Sequence, residues 1–261
     1  MTPDVSPDYC VGTAGWSIPR VSAERAPGDG THLQRYARVL VCSEINSSFH
    51  RSHRAAVYAK WAASTPSGFR FSVKLPRAIT HDLKLRRTTR LLDVFLSECA
   101  GLGKKCGPLL VQLPPSLEFD RRVVTTFLRT LRLRFAGPIV CEPRHASWAS
   151  RSAESVLIEH RVARVATDPA RAPEFARPGG WDGLLYIRLH GSPRIYWSPY
   201  DADRVAVYAR MMVESRAVER WCIFDNTASG AAFGNALNLN ELLPDAKARP
   251  SSARAEEAER R

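Results

Sequence analysis

The chain has 261 residues with a hydrophobic fraction of 44%, enough for one large core without disulfide staples and far from the composition of disordered chains. Its formal net charge of +12 rests on 32 arginines against 6 lysines. That admits a polyanion partner such as nucleic acid, and equally admits arginines simply spread over helix surfaces.

No stretch reaches the roughly 18 apolar residues of a membrane-spanning helix, and residues 1–9 lack the apolar run of a secretory signal. The six cysteines form no Cys-x-x-Cys pair, and four of them, Cys10, Cys42, Cys141 and Cys222, lie in apolar runs. These features predict a cytoplasmic protein with buried free thiols, without a zinc site and without a membrane partner.

In chain order, a first apolar run covers 9–15, and a short helical pattern at 31–39 leads to a second at 40–46. A helix at 54–64 carries Ala55, Val57, Tyr58 and Trp61, and is followed by a strand at 69–74. The helix at 89–101 places Leu91, Leu92, Phe95, Leu96 and Cys99 on one face, before a strand at 109–113. Asp120 reads as the N-cap of a helix with Val123, Val124, Phe127, Leu128 and Leu131 inward, and 139–142 is the fifth strand. A helix at 153–161 precedes a strand at 163–167. The sixth segment is irregular, with three prolines in 169–180 and no helical pattern. Strand 184–189, helix 203–215, strand 220–225 and helix 231–243 complete the series.

Most of these strands are continuous apolar runs, the pattern of strands buried on both faces. Eight strand–helix alternations predict a parallel sheet. The count of eight, together with the absence of a Gly-rich nucleotide loop after strand one, favours a (β/α)₈ TIM barrel over an open doubly wound sheet. The barrel is expected over residues 1–245. The charged tail 246–261 is expected to lack a fixed structure.

Polar residues recur where the apolar runs end, and in a barrel those ends share one mouth. Trp16 follows strand one, Glu44 and Asn46 lie in strand two, Lys74 and His81 at strand three, and Gln112 in strand four. Glu142, Arg144 and His145 end strand five, Asp168 strand six, Arg188 and His190 strand seven, and Asp225 and Asn226 strand eight. Buried ionisable groups are costly unless paired, so their convergence predicts a site. The bland alternative is that they pair off, Glu44 with Lys74 and Glu142 with Arg188, as salt bridges filling the barrel.

Three functions compete. The first is an enzyme acting on a phosphorylated or other anionic substrate. Glu142, Glu44, His190 and Lys74 are its acid–base candidates, and Lys74, Arg144 and Arg188 hold the anion. Lys74 is also the residue that could form a Schiff base. The second is a metal-dependent hydrolase or isomerase, with a divalent ion on Glu44, Glu142, Asp168, His190 and Asp225; no motif requires a cofactor, and no His-x-His pair is present. The third is a nucleic-acid binding or processing protein. The small-residue turn at 227–234 before the last helix predicts an anion cradle, with Arg188 adding a hydrogen bond. Glu142→Gln is expected to abolish activity with little loss of folding.

The motifs Gly12-Thr13-Ala14-Gly15-Trp16-Ser17, Glu44-Ile45-Asn46-Ser47-Ser48-Phe49, Phe71-Ser72-Val73-Lys74 with Thr80-His81, Glu142-Pro143-Arg144-His145 with Ser147-Trp148, Arg188-Leu189-His190-Gly191, and Asn226 with Asn235-Ala236 together resemble the YecE-like family, domain-of-unknown-function family seventy-two. So does the run Gly107-Pro108-Leu109-Leu110-Val111-Gln112-Leu113-Pro114-Pro115. The resemblance runs in order from about residue 10 to 240. It implies a TIM barrel in a bacterial-type cytosolic protein and supplies no established reaction. With the residues above, it implies a substrate-binding set of Arg144, Arg188, Asn46, Gln112, His81, His145, Trp16, Asn226 and Asn235. The chain departs from the pattern after strand one, where an aromatic-rich stretch is missing, at Pro143 in place of phenylalanine, and at Asp225 in place of asparagine.

Overall fold

The computed structural model describes residues 9–244, so the tail expected at 246–261 lies outside the described residues. Ten strands form one sheet: β1 (Tyr9–Ala14), β2 (Cys42–Ile45), β3 (Arg70–Lys74), β4 (Cys106–Gln112), β5 (Ile139–Glu142), β6 (Val162–Arg164), β7 (Ala166–Asp168), β8 (Gly179–Gly180), β9 (Leu184–Leu189) and β10 (Glu219–Phe224). Their order is β7-β9-β10-β1-β2-β3-β4-β5-β6-β8. Only the β6–β8 pairing is antiparallel.

β6 and β7 are one stretch of chain interrupted at Val165. β6 pairs with β5 and β7 with β9, so the sheet meets itself through this stretch and forms a barrel. The predicted sixth strand is therefore split. No α-helix follows it; a 3-10 turn at Pro173–Ala176 and β8 stand there instead.

The outer layer is α1 (His32–Tyr36), α2 (Ala55–Ala63), α3 (Thr89–Cys99), α4 (Arg121–Arg132), α5 (Arg151–Glu159), α6 (Ala202–Glu214) and α7 (Ala231–Leu242). α4 shows how sequence sets such a helix. Asp120 caps it, its carboxylate accepting from the N–H groups of Arg122 and Val123. Val124, Phe127, Leu128 and Leu131 recur at helical spacing and are buried against the barrel. Each such burial is worth about 1.5–3 kcal/mol.

Inside the barrel every second residue points inward, and the inward residues change character along each strand. The first layers are apolar: Cys10, Cys42, Leu110, Val140, Leu184, Trp221 and Ile223 form one buried cluster. The next inward residues, toward the C-terminal ends, are Glu44, Ser72, Lys74, Gln112, Glu142, Arg188 and Asp225, all buried. The floor is thus an oil-like plug and the upper layer a charged one. Close packing at the floor fixes Gly12: a Cβ there would lie 2.1 Å from the Cys42 carbonyl oxygen. All six cysteines are free. Among the described residues no helix is long and apolar enough to cross a membrane.

Candidate functional site

Arg188 stands at the centre of the charged layer and is fully buried. Its Nε and Nη2 donate to Glu44 at 3.0 and 2.7 Å. Nη1 donates to Glu142 Oε2 at 2.6 Å, and Nη2 also reaches Asp225 Oδ2 at 3.0 Å. Three strand-end carboxylates therefore share one guanidinium, whose rigid fork meets them in several directions at once. Below it, the Tyr186 hydroxyl donates to Glu44 Oε2 at 2.9 Å.

His190 lies between two of these carboxylates, with Nδ1 3.0 Å from Asp225 Oδ2 and Nε2 3.2 Å from Glu142 Oε1. Two acceptors facing both ring nitrogens require two N–H donors, the imidazolium form. Burial alone would lower the His190 pKa, but the Glu142 charge and the hydrogen bonds His190 donates to Asp225 and Glu142 raise it above its ordinary value. Burial would likewise raise the Glu142 pKa, and Arg188, His190 and Arg144 together hold it well below the carboxylate range. Asp225 is lowered in the same way: burial opposes, and Arg188 and His190 prevail. Glu142 Oε1 also accepts from Gln112 Nε2 and Arg144 Nε, both at 3.0 Å.

Two cavities open above this layer. One, of about 270 Å³, is lined by Glu142, His190, Arg144, Thr167, Arg171 and Tyr196. The other, of about 460 Å³, is lined by Lys74, Asn46, Phe49, His81, Arg77 and Asp225 among others. Arg144 and Tyr196 line both and form the partition, with Arg144 Nη2 3.3 Å from the Tyr196 hydroxyl. Tyr196 holds a left-handed backbone (φ 66°), a costly conformation for a bulky residue. Its N–H bonds to the His190 carbonyl and its ring packs edge-on against the His190 imidazole.

Lys74 is the exception in this layer. Its Nζ sits 4.2 Å from the centre of the Phe49 ring, and this ammonium makes neither an ion pair nor a hydrogen bond among the described residues. Burial, and then Arg188, push its pKa down to about 8, with Glu44, Glu142 and Asp225 partly opposing. His81 lines the same cavity. Burial, followed by Lys74, Arg77 and Arg144, lowers its pKa to about 4, so its ring is neutral at physiological pH.

Of the residues proposed from sequence, Glu142, His190, Lys74, Arg144, Asn46, Gln112 and His81 line the two cavities, and Glu44 lies beneath them, paired with Arg188. The expected Glu44–Lys74 pair is not formed; Arg188 takes Glu44 instead. Arg188 itself is enclosed by carboxylates and lines neither cavity, so it is not placed to donate to an anion. Trp16 packs edge-on against Trp61 and Phe71, on the helix side of the sheet. His145 caps the 3-10 turn Ala146–Ala149 and bonds Ser147. Asn226 and Asn235 bond one another and the backbone of Ser198 and Tyr200, tying the loop after β9 to α7.

Two further expectations change. In the turn before α7 the N–H groups of Ala228, Gly230, Ala231 and Ala232 already have protein acceptors, so four donors of the anion cradle predicted over 227–234 are engaged. The five groups expected as metal ligands surround Arg188 or, for Asp168, pair with Arg204 at 2.6 Å. Among the described residues no three His, Cys, Asp or Glu side chains are grouped as a metal site.

A family model described as "Protein of unknown function DUF72" matches residues 10–260. The chain belongs to the DUF72 family. Over 84 residues it is 33% identical to the UPF0759 protein YecE of Escherichia coli K12, a match spanning 32% of this chain and 31% of that relative. A crystal structure of a DUF72 family protein from Thermotoga maritima superposes with a TM-score of 0.76 at 24% identity, covering 90% of this chain and 98% of that one. One from Enterococcus faecalis gives 0.75 at 20% identity, covering 90% and 95%. A xylose isomerase-like TIM barrel/4-hydroxyphenylpyruvate dioxygenase fusion protein reaches 0.52 at 10% identity, over 91% of this chain and 42% of that one. At these identities the structural likenesses bear on the fold alone.

Sequence reading of this DUF72 chain misses Tyr196, Phe49, Arg77 and Arg171 as cavity residues. Phe49 and Arg77 stand within a few residues of strand ends already singled out, and Ile195-Tyr196-Trp197 is an aromatic run in the loop after β9. That run is the available signal.

Proposed function

We propose that the C-terminal mouth of the barrel is the active site of an enzyme acting on a small phosphorylated or otherwise anionic substrate. The observation that carries this reading is the charge balance. Three carboxylates, Glu44, Glu142 and Asp225, face four cations: Arg188, the His190 imidazolium, Lys74 and Arg144. Arg171 adds a positive charge at the rim of the smaller cavity. Arg188 and His190 hold all three carboxylates, and Arg144 adds a bond to Glu142 through Nε while bordering both cavities. Lys74 alone of the four cations has no carboxylate partner among the described residues, so the layer keeps a surplus of positive charge facing the open space. Low-dielectric walls strengthen its pull on an anion.

Proton transfer falls to the Glu142–His190 pair bordering the smaller cavity, where a carboxylate and an imidazole share a hydrogen bond at 3.2 Å and can exchange a proton. Lys74 in the larger cavity supplies a positive charge or an amine. Calorimetric titration with phosphate and with a nucleoside monophosphate at low salt tests the reading. Binding that weakens roughly ten- to a hundredfold in Arg144→Ala, the loss of one charge-assisted hydrogen bond, supports it. No binding to folded protein overturns it. Repeating the titration across a salt series separates this reading from a nucleic-acid partner, whose affinity falls by orders of magnitude.

A further inference from the structure

A buried lysine ordinarily pairs with a carboxylate or runs its stem to the surface. Lys74 does neither: it is 7% exposed, its ammonium meets the Phe49 ring rather than an acid, and it faces a cavity of about 460 Å³. The three carboxylates that could have held it are held by Arg188. Its neighbours in the cavity suit a reaction at nitrogen. Asn46 Oδ1 is buried and has no hydrogen-bond partner. The neutral His81 ring is fixed through Nδ1, 2.9 Å from Thr80 Oγ1. Arg144 and Arg77 flank the same space.

We propose that Lys74 forms an imine with a small carbonyl compound bearing a carboxylate or phosphate, the anion held by Arg144 and Arg77 and the carbonyl carbon meeting Nζ. This rests on the reading of the mouth as an anion site and names the substrate class. The step balances without a co-reactant. The ammonium gives up one proton, its lone pair attacks the carbonyl carbon, and the oxygen takes that proton to give a carbinolamine. Asn46 Oδ1 is placed to accept from the new hydroxyl. The nitrogen's second proton moves to that oxygen, His81 serving as the relay, and water leaves as the C–O bond breaks. The product is a protonated imine. It draws electrons from the bonds next to the former carbonyl carbon, which is the use of such adducts in C–H and C–C cleavage. The lowered pKa agrees: at pH 7 roughly a tenth of Lys74 is free amine, a few hundredfold more than for an ordinary lysine.

The test is reductive trapping on the full chain. Protein at neutral pH is incubated with glyoxylate, the smallest carbonyl that carries a carboxylate, and sodium cyanoborohydride. Hydride adds to the imine carbon and leaves one carboxymethyl group, which peptide mass mapping assigns among the six lysines and the N-terminus. The expected result is labelling of Lys74 about tenfold or more faster than any other lysine, slowed by added phosphate and absent in Lys74→Met. Even labelling of all lysines, or none at Lys74, overturns the imine. Calorimetry with phosphate on the same sample separates the two readings. If phosphate binds with an Arg144-dependent affinity and Lys74 stays unlabelled, only the imine fails; if phosphate does not bind either, the anion site fails with it. The mapping on unaltered protein decides the matter even if Lys74→Met does not fold.

Discussion

Arg188 grips Glu44 through two hydrogen bonds, Nε to Oε2 at 3.0 Å and Nη2 to Oε1 at 2.7 Å, and neither side chain reaches solvent. The same guanidinium holds Glu142 and Asp225. Removing it would leave three buried carboxylates with one fewer cation. Arg188→Met is expected to cost about 3–5 kcal/mol. Arg188→Lys is expected to be costly too, because an ammonium cannot reproduce the fork. Urea unfolding measures both. A loss under about 1 kcal/mol in either variant would show that the centre is not held by this residue.

On sequence grounds Glu142 is replaceable by glutamine without harm to folding. Its four partners, Gln112, Arg144, Arg188 and His190, change that expectation. A glutamine keeps one acceptor oxygen and turns an NH₂ toward cationic donors. Glu142→Gln is expected to lower stability by about 2–4 kcal/mol as well as impair the site. Thermal unfolding beside anion titration separates the two effects.

Lys74 carries the opposite sign. Its folded pKa of about 8 lies below the ordinary 10.5, so the folded state disfavours the ammonium and the unfolded chain binds more protons between those values. Stability therefore rises as pH climbs from about 8 to 10.5. At pH 7 the strain amounts to roughly 3 kcal/mol. Lys74→Met is expected to recover much of it and raise the melting temperature. Unchanged or lower stability in that variant would mean the ammonium is well solvated through the cavity.

His190 behaves in reverse, its pKa being raised by Glu142 and Asp225. Its contribution is fully present below the ordinary value of 6.5 and is lost as pH rises through the higher folded value. The depressed Glu142 and Asp225 add stability above the ordinary carboxylate range, lost as pH falls through their folded values. A plateau near neutrality with an acid-side fall is expected from chemical denaturation across pH. A Lys74→Met background removes the opposing alkaline rise. NMR of the imidazole should find His190 titrating above 6.5; titration at or below it would remove the imidazolium from the charge balance.

The fold is legible because most strands buried on both faces read as continuous apolar runs, and helical patterns between them mark the alternation. The sixth strand does not yield to that reading, since residues 162–168 pivot at Val165 from one neighbour to another and the prolines after it leave no helix to frame it. The set of polar strand ends is visible as well, because a charge at the end of an apolar run is costly to bury unless a partner or a ligand meets it. Which charge meets which is not visible. Glu44 could be assigned to Lys74 as easily as to Arg188, because pairing depends on layer height and tilt inside the barrel, and these are set by register between strands far apart in sequence. Tyr196 escapes notice because it owes its place to a left-handed turn in a loop, not to a strand end.

The most direct measurement is a crystal structure of the protein grown with phosphate. The anion is expected inside the mouth, bonded to Arg144 and close to Lys74, with Arg188 still enclosed by Glu44, Glu142 and Asp225. Phosphate bound only at the turn before α7 or on surface arginines, with the mouth left to solvent, would contradict the reading of the mouth as an anion site.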